Sequence, residues 1–488
     1  MKTFTHFQHS LSVSLTAVLF LVGLLAPVRS LGQPGALDVS FQPPPGLGRI
    51  GAVALPLDGR VVVAGSDGLF RLHPDGSLDP VFAGTVPPLP TVYAMALQAD
   101  GKILIGGSHL LLRLEASGAL DPTFAPSQVP DGEVVTLVAQ ADGRVLVGGF
   151  FNSINGDYRP ALARLLPDGT TDFEFNPIVT PRDIVQTLLE LSDGRILVSR
   201  YSSDGQGHAF NSLLRLRADG SADNTFNPPM ADSLIYAATV QPDGRIVLGG
   251  GFSSVNGAAR VGVARVQANG QLDAGFKARV DQSYQVRALA VQPDGRIIIG
   301  GAFRSIGGVP RPMLARLNAN GSLDNQFDAR MCCANEDLVY DIKLQNDGRV
   351  LIGGGFTSVG GAALPSVARL RNDRFAARIT FAASRSFLDE RAGFATIAVL
   401  RTGDDSRAAS VQFLAEPGTA RAGEDFVKQN ILVSFAAGES VKLVTVPVRD
   451  DTSNEGSETV RLTLKGPKGA QLGDPSSAVL TILDSERE

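Results

Sequence analysis

The sequence has no tryptophan, and only two cysteines and five histidines among 488 residues. Each scarcity excludes something. The two cysteines, Cys332 and Cys333, are adjacent in MCCANED, so no disulfide framework staples this chain. A bond between neighbours would close a strained ring, which leaves free thiols or a redox pair in an inserted loop. His6 and His9 lie in an N-terminal apolar segment; His73, His109 and His208 are scattered, with no two at metal-ligand spacing. There is no Gly-x-Ser-x-Gly elbow, and no glycine run leads into a Gly-Lys-Ser/Thr and a helix, so nucleophile-elbow and phosphate-loop chemistry are not written here. Charged residues are few, at 19%, and the formal net charge is −5, which gives no electrostatic reason to expect nucleic acid. Glycine, by contrast, is frequent at 54, which suits short strands joined by tight turns better than long surface helices.

Long hydrophobic runs are also missing, with one exception. Lys2 gives a short basic start, Leu11–Leu25 is apolar, and APVRS offers a cleavage site after Ser30. Residues 1–30 therefore read as a secretion signal, the alternative being an uncleaved anchor weakened by Ser12, Ser14 and Thr16. Removal of Lys2 and Arg29 would take the net charge from −5 to −7 and leave no transmembrane span.

What is present is a repeat. AVQPDGRIIIGG, residues 290–301, reads as an apolar strand, a tight turn and a second apolar strand. Its turn recurs at Asp58, Asp100, Asp142, Asp193, Asp243, Asp294 and Asp347, at intervals of 42, 42, 51, 50, 51 and 53 residues. Each copy continues into an ARL-type strand, through Arg71, Arg113, Arg164, Arg215, Arg265, Arg316 and Arg369. A short LDxxF-type fourth element follows, from Asp79/Phe82 to Asp324/Phe327. Four short strands in such a period predict one propeller blade, which buries both faces only when stacked around an axis. The seventh copy lacks its LDxxF. The missing copy stands before the first hairpin as GALDVSF, Gly35 to Phe41, so the N-terminal segment is predicted to close the ring by supplying the last blade's outer strand. Four of the repeats share an insert between second and third strands (GGFFNSINGDYR and its relatives), which places four loops on one face of the disc. The recurrence of the turn aspartates argues that they are structural rather than catalytic.

This pattern, LDxxF … ALAxQxDGRhhhGG … ARLxxDG over residues 35–372, resembles the delta-60 repeat family, which implies a bacterial surface or secreted propeller and transfers no catalytic residues.

After Arg378 the text changes to short alternating segments: ITFAAS, ATIAVLR, SVQFLAE, ILVSFA, VKLVTVPV, TVRLTLK and SAVLTIL. Seven strands in about a hundred residues predict an immunoglobulin-like antiparallel β-sandwich over 376–488, held by packing since neither cysteine lies there. Carboxylates cluster where strands end, and calcium takes 6–8 oxygens, often from several acids; the alternative is a solvated acidic loop end. The segments LDERAGFATIAVLR, PGTARAGEDF and VPVRDDTSNEGSETVRLTL resemble the Calx-beta family. That resemblance implies calcium bound at one end of the sandwich. The ligands it implies are Glu390, Asp425, Asp450, Asp451, Glu455, Glu458 and Asp484, although the closing Asp484-Ser485-Glu486 departs from the aspartate run of calcium-binding members.

The whole is an all-β chain: a leader, a seven-bladed β-propeller over 35–375 and a sandwich. The expected function is a secreted or cell-surface, non-enzymatic adhesion or binding protein with calcium as cofactor and an extracellular protein or glycan as partner. The alternatives are a polysaccharide hydrolase or lyase working through the propeller channel, and a purely structural surface module.

Overall fold

The structure, a computed structural model, describes residues 32–83, 85–87, 89–124, 129–203, 209–280, 285–332, 338–364, 366–373, 375–450 and 456–484. The expected leader and Cys333 lie outside them, and Cys332 is an exposed free thiol. No helix among the described residues is long and apolar enough to cross a membrane.

Each DGR or DGK triplet closes an antiparallel hairpin. In the sixth copy, Val286–Val291 pairs with Ile297–Gly301, which pairs with Leu314–Leu317. The Asp294 carboxylate accepts the Arg296 N–H at 3.0 Å, and Gly295 takes a φ of 82°, so the tight reversal follows from the side chain before it and the missing Cβ at its centre. The first strands of the seven units are Ile50–Ala54, Val92–Leu97, Glu133–Ala139, Ile184–Glu190, Ile235–Val240, Val286–Val291 and Val339–Leu344. Each lies beside the next, and Val339–Leu344 lies beside Ile50–Ala54, so they form a closed inner ring. The repeat region is a seven-bladed propeller.

All seven inner strands bulge at their second or third residue. The ladder skips Gly51, Tyr93, Val135, Gln186, Tyr236, Arg287 and Tyr340. The double glycine of RIIIGG answers to this bulge. A Cβ on Gly300 would lie 2.7 Å from Val339 of the next blade, and one on Gly301 would lie 2.0 Å from the Gln285 carbonyl. The first glycine admits the neighbouring blade and the second admits the bulged strand. In the fourth blade a serine replaces the first glycine, and the Ser199 hydroxyl donates to the Ile235 carbonyl at 2.8 Å instead.

The fourth element is shorter than the expected strand. Leu323 makes a single bridge to Leu317, and Asp324 then accepts the Gln326 N–H at 2.9 Å. That side-chain bond turns the backbone inward and ends the ladder. Phe327 arrives beneath Arg316, with the guanidinium 5.0 Å from the ring centre. At the seam the N-terminal segment does the same work. Leu37 bridges to Leu370, the Asp38 N–H donates to the Arg369 carbonyl at 2.8 Å, and Arg369 lies 4.9 Å over Phe41. The borrowed element therefore closes the ring.

The inserts form two-stranded hairpins, Ser153–Ile154 with Asp157–Tyr158, Ser254–Val255 with Ala258–Ala259, Ser305–Ile306 with Val309–Pro310, and Ser358–Val359 with Ala362–Ala363. They leave the ends of the second strands, at the opposite side of the disc from the DG turns.

Beyond the propeller, two sheets pack face to face. One has four strands: Val441–Pro447, Phe394–Thr402, Arg378–Phe381 and Gln471–Leu472. The other has five: Arg385–Asp389, Ser477–Leu483, Glu458–Lys468, Ala409–Pro417 and Gln429–Phe435. Alternating residues such as Ile379, Phe381, Val399, Phe413, Val446 and Leu480 fill the core between them. The expected strand at ITFAAS is Arg378–Phe381, and an unexpected further strand, Arg385–Asp389, follows it in the other sheet. Arg385–Asp389 runs parallel to Ser477–Leu483, and Arg378–Phe381 runs parallel to Gln471–Leu472, so the sandwich is antiparallel except for these two pairs. The Gly403 N–H donates to the Asn346 carbonyl at 2.8 Å, which ties one end of the sandwich to the seventh DG turn.

Candidate functional site

Two groups of acids could carry function: those repeated in the propeller and those at the sandwich end. The propeller acids are spent on structure. In each blade the LDxxF aspartate takes the Nε–H of the ARL arginine, at 2.6–2.9 Å, through Asp38, Asp79, Asp121, Asp172, Asp223, Asp273 and Asp324. The turn cation reaches the same carboxylate: Arg296 lies 3.1 Å from Asp324, and 2.6 Å from its own turn's Asp294. Acid and base thus alternate along Asp294, Arg296, Asp324 and Arg316, and Asp373, beyond the next blade's third strand, pairs with both arginines. Burial pushes the Asp324 carboxyl up, but the Gln326 N–H and the two guanidiniums outweigh it and hold it below the ordinary 3.8. The ARL arginine then crosses to the next blade. Arg113 donates to the Pro167 carbonyl at 2.8 Å, Arg215 to Ala268 at 2.5 Å, and Arg369, at the seam, to Pro74 at 2.7 Å. The turn arginines' role was invisible in the sequence, because Arg296 and Asp324 are 28 positions apart and meet only once the strand order is known.

The innermost strands carry three acids, Glu133, Glu190 and Asp341, and no histidine. Asp341 accepts the Val53 N–H at 2.8 Å and pairs with Lys343 at 2.8 Å. Burial pushes the Glu190 carboxyl up, and Gln140 donates to it at 2.8 Å. Glu133 opens its strand at the insert end and Glu190 closes its strand at the DG end, so they do not form a facing pair.

At the sandwich, backbone pairing brings the predicted calcium ligands to one end. Asp389, just before Glu390, is paired with Leu483, just before Asp484. Glu458 is paired with Ile482. Phe426 bridges to Val448, and the Arg449 N–H donates to the Asp425 carbonyl at 2.8 Å, which brings Asp425 and Asp450 to the same end. Asp451 and Glu455 lie outside the described residues. Among the described residues no three carboxylates, histidines or cysteines stand close enough together to hold an ion. The side chains are otherwise engaged. Asp425 is buried and accepts the Arg421 N–H at 2.6 Å, and Asp484 accepts the Gly456 N–H at 2.8 Å. Three arginines that sequence reasoning did not weigh sit among the acids: Arg391 pairs with Asp389 at 2.8 Å, Arg421 with Glu424 at 3.3 Å, and Arg449 donates to the Gly423 carbonyl. Arg391 holds the Asp389 carboxyl below its usual range. As a donor set the end is oxygen-only, which fits a hard divalent cation; its positive charge is at present supplied by guanidinium.

Comparison with known proteins agrees with this division. Residues 373–486 match the Calx-beta domain family. Seven segments, from 57–82 to 345–373, match a beta-propeller domain of unknown function, DUF5122. FRAS1-related extracellular matrix protein 2 of Homo sapiens is 38% identical over 105 residues, which is 20% of this chain and 3% of that protein. The sodium/calcium exchanger Calx of Drosophila melanogaster is 37% identical over 98 residues, 20% of this chain and 10% of the exchanger. The chain therefore spans only a small part of the length of these relatives. Among solved structures, the apo-form Calx CBD1 domain is 34% identical and covers 23% of this chain and 99% of its own, with a TM-score of 0.22. A gluconolactonase from Xanthomonas campestris is 14% identical over 71% of this chain and 99% of its own, with a TM-score of 0.37. The chain thus carries a Calx-beta domain at 373–486 behind a DUF5122 beta-propeller repeat region.

Proposed function

We propose that this is a secreted or cell-surface, non-enzymatic binding protein, in which the propeller recognises an extracellular protein or glycan and the Calx-beta domain binds calcium. The observation that carries the calcium reading is the strand-end placement of Glu390, Asp425, Asp450, Glu458 and Asp484 by backbone pairing. Asp451 and Glu455, in the segment between Asp450 and Glu458, complete the proposed ligand set. Bound calcium would add positive charge to an end where Arg391 and Arg421 already pair with the neighbouring acids Asp389 and Glu424. The non-enzymatic reading is supported by the propeller's acids, which are used blade by blade in internal pairs.

The test is thermal unfolding of the full chain with calcium, magnesium or chelator. Binding to the folded form alone stabilises by about 2.7 kcal/mol at a hundredfold excess over Kd. Millimolar calcium is therefore expected to raise the sandwich transition by several degrees. Magnesium should raise it less, because it demands tight octahedral geometry. The pair of changes Asp450→Asn and Asp484→Asn should remove most of the shift. An unchanged melting curve and no heat on calorimetric titration would reduce this end to a solvated acidic surface.

A further inference from the structure

Aromatic residues are sparse in this chain, and its tyrosines are not evenly placed. All five described tyrosines, Tyr93, Tyr158, Tyr201, Tyr236 and Tyr340, lie at the insert end of the propeller. The DG-turn end and the sandwich have none. Three of them, Tyr93, Tyr236 and Tyr340, occupy the same bulge position on the inner strands of the second, fifth and seventh blades, at the insert end of the inner ring. The residue before each one is buried (Val92, Ile235 and Val339), whereas the tyrosines stay partly exposed, with Tyr93 at 38%.

The sixth blade places Arg287 at that position. Its guanidinium stacks 4.3 Å from the centre of the Tyr236 ring. Its Nε and Nη2 both donate to Gln285 Oε1, at 3.0 and 2.7 Å. No described carboxylate pairs with it, and its Nη1 donates to no described residue. The side chain is thus held in place by a neutral partner and a ring face, with no carboxylate among the described residues beside it. This differs from the ARL arginines, each of which is neutralised by an aspartate.

We infer that the insert end of the inner ring is a binding site for a carboxylate-bearing saccharide chain of the uronic-acid type. Tyrosine offers a flat apolar face for the C–H side of a sugar ring and a wet hydroxyl for its oxygens. A fixed, planar guanidinium matches a carboxylate, and one ordered in advance loses little freedom on binding. This inference rests on the propeller being the recognition module. It narrows that reading from protein or glycan to one ligand chemistry.

The experiment is calorimetric titration of the full chain with tetragalacturonate and with the uncharged galactose tetrasaccharide. Both are run in chelator, so that calcium cannot bridge sugar and protein. Tetragalacturonate should bind, and the uncharged chain at least tenfold more weakly. Arg287→Ala should weaken tetragalacturonate binding at least tenfold. Arg287→Lys should weaken it nearly as much, since an ammonium cannot make both bonds to Gln285 and stack on Tyr236. Tyr93→Ala, at an exposed position where folding is not at stake, should weaken it three- to tenfold. Absence of binding by either sugar, or wild-type affinity in Arg287→Ala and Tyr93→Ala, overturns the proposal. So does a peptide ligand that depends on these residues where the sugars do not bind. Failure here with the calcium shift intact would leave the broader reading of the protein standing.

Discussion

At the scale of the residue, the propeller is a set of small charge networks repeated around a ring. Each LDxxF aspartate is held by two cations and by one or two further bonds from a backbone N–H or a hydroxyl: two at Asp38, Asp79, Asp121 and Asp223, one at Asp172, Asp273 and Asp324. Removing it strands an arginine. Asp273→Ala would leave Arg265, itself buried, without its 2.8 Å partner; breaking such a pair from one side costs about 3–5 kcal/mol. Urea unfolding should show that loss in the propeller transition, and the conservative Asp273→Asn should recover only part of it. The same carboxylates set the response to acid. Burial raises the carboxyls of Asp38, Asp79, Asp172, Asp273 and Asp324, but their hydrogen bonds and arginines hold each of them below 3.8 overall. Groups depressed in the folded state contribute stability above the unfolded value and lose it as pH falls through the folded one. Stability from this source should therefore be intact at neutral pH, begin to fall below about pH 4, and keep falling toward pH 2. A propeller whose stability declined between pH 7 and pH 5 instead would implicate other groups.

At the scale of the element, the hairpin and its double glycine were legible from sequence, because a tight turn and an unbranched strand end leave a periodic text. The reason for the glycines was not legible. It lies in the bulge, and a bulge is a relation between two strands that no single strand spells out. Gly301→Ala would place a Cβ 2.0 Å from a backbone carbonyl that cannot swing away, whereas Gly300→Ala meets side chains of Val339 and Ile342 at 2.7 and 2.8 Å. Overpacking of the second kind costs roughly 1–3 kcal/mol, and the first change is expected to cost more. Melting temperatures of the two variants, measured together, should rank in that order. The parallel strand Arg385–Asp389 was missed for a related reason. ITFAASRSFLDE contains no glycine or proline to mark where the chain leaves one sheet for the other, so the pattern reads as one strand and a tail.

At the scale of the whole molecule, the seven-bladed ring and the sandwich could be expected from repeat count and alternation, and so could the end of the sandwich where acids gather. The arginines among those acids could not, since their neighbours depend on which loops meet. The junction adds a constraint of its own. Phe394, at the start of its strand, pairs with Pro447 at the acidic end, while Gly403, just past the other end, binds Asn346 of the propeller. That strand spans nine residues, about 27 Å. The acidic end therefore points away from the propeller, and calcium should stabilise the sandwich without changing the propeller's own transition. Differential scanning calorimetry, which resolves the two transitions, would show this; a calcium shift in both would mean that the two regions unfold as one.

The seam has a consequence for how the chain could be rethreaded. Leu37 meets Leu370 as Leu78 meets Leu72, but in the first blade five residues join the partners and at the seam no covalent link does. Gly35 and Arg371 are already hydrogen-bonded at 2.8 Å. Rejoining them through an ordinary Asp-Gly turn and cutting instead in another blade, between Leu165 and Thr171, would give a circular permutant of the propeller with every bridge retained. Such a permutant is expected to fold, because a ring of equivalent couplings has no blade that must come first. The natural opening would then be one choice among seven.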